Sequence, residues 1–184
     1  MTSFNLQEHS HRRYNILTGE WVQVSPHRAK RPWQGQEEEE AGENKPEYDE
    51  NCYLCPGNSR AGGNQNPNYT NTFVFTNDFS ALESDIPEGS YEHNGLLKAK
   101  SEKGICRVLC FSPRHDLSLA ELGAGQIFEV IKLWIREYQW LGEQDHINYV
   151  QIFENKGSIM GCSKPHTHGQ IWAQESIPVE PMKE

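Results

Sequence analysis

One long amphipathic period set among short strands is the pattern that most narrows what this chain can fold into. Across residues 126–141 the apolar side chains Ile127, Val130, Ile131, Trp134, Ile135, Tyr138 and Leu141 recur at spacings of three and four. That is the repeat of one helix face. A stripe of this kind is expected to lie on a core rather than to form a cofactor box. Ser118-Leu119-Ala120-Glu121 just before it has capping-box form, and Gly123-Ala124-Gly125 separates the two. The other patterned segments are short and strand-like: 21–24, 72–76, 104–111, 147–154 and the run after Pro165. Each is bounded by turn residues. Many strands with one late helix argue for an α+β domain built on an antiparallel sheet. A length of 184 residues suits a single domain spanning 1–184 with a sizeable core. Residues 9–14 read as a polar, basic stretch, 52–68 as a loop rich in Gly, Asn and Pro, and 83–94 as an acidic, turn-rich loop.

The formal charge of −9 is uneven. Residues 34–51 hold seven Glu and one Asp against one Lys, a net of −7. This tract has no apolar period and is expected to be a solvated, partly disordered loop. The remainder is near neutral, so a basic pocket elsewhere is compatible with the overall acidity. There is no long basic stripe with interleaved aromatics, which argues against a nucleic-acid partner. No stretch of about 18 apolar residues is present, so no membrane helix is expected. The first residues lack an apolar signal core, and five cysteines is an odd count. Both point to a reducing, cytoplasmic setting rather than a disulfide framework.

The chemistry concentrates in Gly161-Cys162-Ser163-Lys164-Pro165-His166-Thr167-His168-Gly169-Gln170-Ile171-Trp172. On an extended strand His166, His168 and Gln170 share one face. Gly169 adds no side chain and would let a ligand approach the backbone. Imidazole near neutral pH serves as a metal ligand or as a nucleophile. Cys52-Tyr53-Leu54-Cys55, followed by Pro56-Gly57, has the spacing of a two-thiolate knuckle. No second Cys-x2-Cys exists; Cys106 and Cys110 lie in an apolar strand and read as buried thiols. The missing ligands are then expected to be His115 and His166, in a closed, structural Cys2His2 site. A redox pair or unpaired thiols are the competing readings of the knuckle. With His166 on a metal, His168 is left to attack phosphorus while its other ring N–H is held by an acceptor such as a backbone carbonyl. Gln170, Ser163 and the backbone around Gly161 can stabilise the charge of a transferred phosphoryl or nucleotidyl group. Arg28 and Arg31 carry guanidiniums suited to phosphate oxygens. Asn77-Asp78 after a strand serves equally as a ribose or base contact or as a turn.

Taken in order, several stretches are similar to the N-terminal half of the galactose-1-phosphate uridylyltransferase family, a branch of the histidine-triad superfamily. They are Arg12-Arg13-Tyr14-Asn15, Leu17-Thr18-Gly19-Glu20-Trp21-Val22, Ser25-Pro26-His27-Arg28, Arg31-Pro32-Trp33-Gln34-Gly35, Cys52-Tyr53-Leu54-Cys55-Pro56-Gly57, Phe73-Val74-Phe75-Thr76-Asn77-Asp78-Phe79, Phe111-Ser112-Pro113-Arg114-His115 and the His-x-His run. The resemblance implies a HIT-like α+β fold, a mostly antiparallel half-barrel sheet with one long helix packed on it. It implies a ping-pong transfer of the uridylyl group from UDP-glucose, through a histidine, to galactose-1-phosphate, giving UDP-galactose. Carried over, His168 is the nucleophile and Gln170 and Ser163 contact phosphates. Cys52, Cys55, His115 and His166 match the zinc ligands. Arg28, Arg31, Ala61, Asn77, Asp78, Asn155 and Gly161 fall where the family contacts the nucleotide sugar. The family's members are homodimers, and the resemblance implies a C-terminal half and a second metal, iron or zinc, for which Glu184 is the first candidate ligand. Two positions depart from the family pattern: Thr167 stands where proline is usual, and Lys164 where asparagine is common. Other histidine-triad nucleotidyl transferases or hydrolases, and a zinc-stabilised nucleotide-binding domain without full turnover, are the alternative readings.

Overall fold

The computed structural model describes residues 3–30, 45–157, 160, 162 and 164–184. Its strands are β1 (His11–Asn15), β2 (Glu20–Val24), β3 (Phe73–Thr76), β4 (Ser90–His93), β5 (Leu97–Ser101), β6 (Gly104–Cys110), β7 (Tyr149–Phe153) and β8 (His168–Gln174). The helices are α1 (Ala124–Gly142) and the short α2 (Val179–Lys183). The strands form two four-stranded antiparallel sheets, ordered β2-β1-β5-β4 and β3-β6-β8-β7. This is the expected α+β class, with the strands divided over two sheets.

The second sheet carries the site, and its two faces explain the sequence pattern of its strands. β6 and β8 are central and covered on both sides, so β6 reads as a nearly continuous apolar run. On one face Leu109, Ile171 and Ala173 meet α1 through Val130, Leu133 and Leu141, with Phe111, Leu122 and Ile147 completing the cluster. On the other face Phe75, Val108 and Cys110 meet Cys52, Leu54 and Cys55. Further along that face Ala81, Leu82 and Cys106 pack with Trp172. His168 and Gln170 of β8 lie on this face in the rows of Cys110 and Val108.

The helix runs where the period places it, with Gly123 as its N-cap and the Gln126 side chain accepting the Gly123 N–H at 3.0 Å. Its buried face is rotated from the one read from the sequence. Ile131, Ile135 and Tyr138, assigned above to the core stripe, are 40%, 53% and 55% exposed. Leu133 and Glu137 are buried in their stead. Apolar residues flank the true face on both sides, so spacing alone cannot locate its centre. Glu137 is buried because Arg107 of β6 reaches it at 3.1 Å while also donating to Thr76 at 2.9 Å. Removing one partner of such a pair strands the other charge. Glu137→Ala is therefore expected to cost about 3 kcal/mol, read as a lower denaturant midpoint at unchanged slope. A loss below about 1 kcal/mol, the size of an exposed pair, would show that water solvates Arg107 adequately.

The first sheet holds the largest departures from the sequence reading. The basic stretch 9–14 forms most of β1, and the loop read at 83–94 ends in β4. All four β4 residues are exposed, so no apolar alternation marks the strand. The sheets are tied by Glu102, which is fully buried. It meets Arg12 at 2.6 Å and accepts from the Ser176 N–H at 2.8 Å and its hydroxyl at 2.7 Å.

Candidate active site and metal centre

The asparagines of the 52–68 loop build the knuckle. Asn58 Nδ2 donates to the carbonyls of Asp49 (2.9 Å) and Cys52 (2.8 Å). Asn66 Nδ2 donates to those of Tyr53 (3.0 Å) and Cys55 (2.9 Å). These bonds add side-chain donors to the turn's carbonyls, those of Asp49, Cys52 and Cys55 also accepting backbone N–H groups at 3.1–3.3 Å. Gly57 has φ +76°, a conformation that favours glycine, and a Cβ there would sit 2.6 Å from the Asn68 side chain. The tail of the acidic tract belongs to this scaffold: the Asp49 carbonyl accepts the Cys52 N–H at 3.1 Å and the Glu47 carbonyl the His115 N–H at 2.9 Å. The rest of that tract, residues 34–44, lies outside the described residues.

Cys52, Cys55, His115 and His166 are all buried, and their candidate ligand atoms lie within 4.8 Å of one another. Cys52 Sγ is 3.8 Å and Cys55 Sγ 3.4 Å from His166 Nδ1, and Cys55 Sγ is 3.6 Å from His115 Nδ1. Bonds of about 2.0–2.3 Å in a tetrahedron place ligand atoms roughly 3.3–3.8 Å apart. The tautomer of His166 also suits ligation. Its Nε2 lies 2.8 Å from the Ser112 carbonyl, so Nε2 carries the proton and Nδ1 presents a lone pair to the sulfurs. Burial lowers the His166 pKa to about 4, which keeps the ring neutral. Burial, with the Cys52 sulfur beside it, raises the Cys55 thiol to about 12. Two buried thiols this close need a cation to ionise together. The donor set fits a metal ion, and a Cys2His2 set is a closed one. Glu184 is exposed and stands apart from this group.

The strand expected from His166 onward begins at His168. That offset lets His166 turn into the metal cluster while its carbonyl stays beside His168. His168 Nδ1 lies 2.7 Å from the His166 carbonyl. The ring therefore donates Nδ1–H to that carbonyl and keeps its lone pair on Nε2. Burial, with Lys164 contributing, holds the His168 pKa below the ordinary imidazole value. Strand register sets the surroundings: Phe73, Cys110 and His168 form one cross-sheet row, and Phe75, Val108, Gln170 and Phe153 the next. Gln170 is thus on the His168 face, as alternation predicts. Gly169 has another purpose than the one expected. A Cβ there would sit 2.6 Å from the Phe111 ring, on the helix side, so the glycine makes room for core packing rather than for a ligand. Thr167 is buried, and its carbonyl accepts the Phe111 N–H at 3.3 Å. That carbonyl is the part of Thr167 the fold uses, and proline would also supply it.

The remaining described candidates lie in turns and loops. Asp78 accepts from Tyr53, from Arg60 at 3.3 Å and from Asn64 at 3.4 Å. Neither Tyr53 nor Arg60 stood out in the sequence; their partner is 25 and 18 residues away. Asn77 turns inward, its Oδ1 accepting the Phe79 N–H at 2.9 Å, so the turn reading describes its side chain. Arg28 lies in the 3-10 turn Pro26–Lys30, Ala61 in the turn Ala61–Gly63, and Asn155 just beyond β7. Arg31, Gly161 and Ser163 lie outside the described residues.

Comparison with known proteins agrees with this geometry. Residues 2–178 match the model of the family described as galactose-1-phosphate uridyl transferase, N-terminal domain. A galactose-1-phosphate uridylyltransferase of Haemophilus influenzae is 52% identical, over 98% of this chain and 51% of its own length. That of Kluyveromyces lactis is 47% identical, over 99% of this chain and 52% of its own length. The chain thus spans about half the length of the curated relatives it matches. A solved structure described as uridylyltransferase superposes with a TM-score of 0.69 at 22% identity, covering 94% of this chain and 48% of the other. An ADP-glucose phosphorylase from Arabidopsis thaliana superposes with a TM-score of 0.52 at 24% identity, covering 91% and 50%. These two likenesses bear on the fold.

Proposed function

The chain belongs to the galactose-1-phosphate uridyl transferase family through its N-terminal domain, and from that premise we propose that it supplies the nucleophilic half of a UDP-glucose–hexose-1-phosphate uridylyltransferase. The observation that carries the proposal is the 2.7 Å contact from His168 Nδ1 to the His166 carbonyl, which aims a neutral Nε2 lone pair outward. Nε2 attacks the phosphorus of the uridylyl group. A P–N bond forms, the P–O bond to glucose-1-phosphate breaks, and that phosphate leaves with the electron pair. An oxygen of galactose-1-phosphate then attacks the same phosphorus and returns the imidazole. Gln170, with Ser163 and the Gly161 backbone, donates to the oxygens that gain charge. Arg28, Arg31, Ala61, Asn77, Asp78 and Asn155 hold the nucleotide sugar.

Zinc is the ion we assign to Cys52, Cys55, His115 and His166, because a closed set of two sulfur and two nitrogen donors suits it. When bound it would supply structure, and His166, held there, would keep its carbonyl in place for His168. A second iron or zinc ion at Glu184 and a homodimer belong to the full-length form of this reading. So does a cytoplasmic location, which five free cysteines support. Among the described residues no helix is long and apolar enough to cross a membrane. The test is intact mass after incubation with UDP-glucose. A gain of one uridylyl group, discharged by galactose-1-phosphate, is expected. Discharge by water alone would instead mark a nucleotidyl hydrolase. Nucleotide binding with no mass gain would mark a binding domain.

A further inference from the structure

We propose that Tyr53 is a positioning residue that holds the Asp78 carboxylate in place for the nucleotide, linking the metal knuckle to the substrate pocket. The inference rests on the reading of Asp78 as a nucleotide-sugar contact. Tyr53 sits between Cys52 and Cys55, so both candidate metal ligands fix its backbone, and its carbonyl is held by Asn66 at 3.0 Å. Its ring packs against the cluster that holds Cys52 and Cys55, and its hydroxyl donates to Asp78 Oδ2. The same carboxylate receives Arg60 Nη1 at 3.3 and 3.5 Å and Asn64 Nδ2 at 3.4 Å.

The cluster is walled by aromatic surface. The Arg60 guanidinium lies 3.8 Å over the Phe75 ring, and the Tyr53 and Phe75 rings meet at 6.4 Å. Phe75 is in the cross-sheet row of Gln170. On its other flank Tyr53 faces Lys164, whose Nζ is 5.8 Å from the ring. The Asp78 side chain is 11% exposed, so its orientation is set by these partners rather than by water. A carboxylate offers about four lone-pair directions. The Arg60 and Asn64 contacts are long, at 3.3–3.5 Å, so a ligand hydroxyl can compete with them for the carboxylate, in an orientation the tyrosine defines. Arg60 Nη1 is shared between the two oxygens and the Asn64 contact is long, so the tyrosine hydroxyl on Oδ2 is the contact that sets the carboxylate's rotation.

Calorimetric titration of uridine diphosphate into the wild type, Tyr53→Phe, Asp78→Ala and the double variant, each with its metal content and melting temperature measured, tests this. Tyr53→Phe is expected to weaken binding about tenfold, the worth of one hydrogen bond to a charged group. Its metal content and melting temperature should match the wild type. The double variant should bind no worse than Asp78→Ala. If Asp78→Ala binds like the wild type, the nucleotide role of Asp78 is wrong and the inference falls with it. If Asp78→Ala weakens binding and Tyr53→Phe does not, the inference alone is overturned. A full Tyr53→Phe effect in the Asp78→Ala background, or loss of metal in Tyr53→Phe, would show that the ring acts only through packing, and would equally overturn it.

Discussion

His168→Asn is expected to abolish the uridylyl adduct and lower transfer by on the order of 10⁴-fold or more, the scale seen when a covalent nucleophile is removed. The substitution suits the geometry. An asparagine amide can still donate to the His166 carbonyl, which His168 Nδ1 reaches at 2.7 Å, so the start of β8 should hold. What disappears is the second ring nitrogen. Binding of uridine diphosphate should change little, because the proposed nucleotide contacts come from other loops. The measurement is intact mass after UDP-glucose, with titration calorimetry beside it. A variant that still gains one uridylyl group would mean that another side chain is the nucleophile. A variant that binds no nucleotide would mean that the exchange damaged the pocket, and His168→Gln would then serve as the second test. The prediction also separates the two histidines: His166 has its Nε2 proton on the Ser112 carbonyl and its Nδ1 toward two sulfurs, so it has no lone pair to offer phosphorus.

What could be read from the residues alone follows where the chemistry is local. The Cys-x2-Cys spacing and the shortage of other cysteines led to His115 and His166, and the fold brings those four side chains together. Alternation placed Gln170 on the His168 face. The strands β3, β6, β7 and β8 were legible because at least one face of each is buried in apolar side chains. β1 and β4 were not, because polar and basic residues dominate both and every β4 residue is exposed; β5 does alternate Leu97, Ala99 and Ser101 with Lys98 and Lys100, a signal the sequence reading passed over. Pairings across long separations were also invisible. Nothing local marks Glu137 as buried, and its main partner, Arg107, lies 30 residues away on β6. The Tyr53–Asp78–Arg60 cluster joins loops whose sequences read as turns. Gly169 shows the reverse error, a glycine credited to ligand access that instead accommodates Phe111.

Removal of the metal should have the second large effect, and it should be felt at His168 as well as at the knuckle. Structural zinc contributes about 10–16 kcal/mol in isolated zinc-finger peptides, where the ion organises a chain otherwise unfolded. Here Leu54, Phe75, Val108 and Cys110 form an apolar cluster with the two cysteines, whose burial does not itself require an ion. The cost to the domain is therefore smaller, about 4 kcal/mol, or roughly a 10 °C fall in melting temperature for a domain of this size. Without a cation the Cys55 thiol, raised to about 12 by burial, stays protonated, and His166 loses the partner that holds its Nδ1. The backbone at His166 then loosens, and with it the carbonyl that accepts from His168. Chelation or Cys55→Ser should thus expose amides 45–69 to hydrogen exchange and slow uridylylation together. The experiment is metal analysis, melting and exchange on the same preparation. A protein with well under one ion per chain that melts unchanged in chelator would rule out the Cys2His2 assignment. Full loss of melting stability with an unchanged rate of uridylylation would keep the site but break its link to His168, leaving the His166 carbonyl positioned by the Ser112 contact alone.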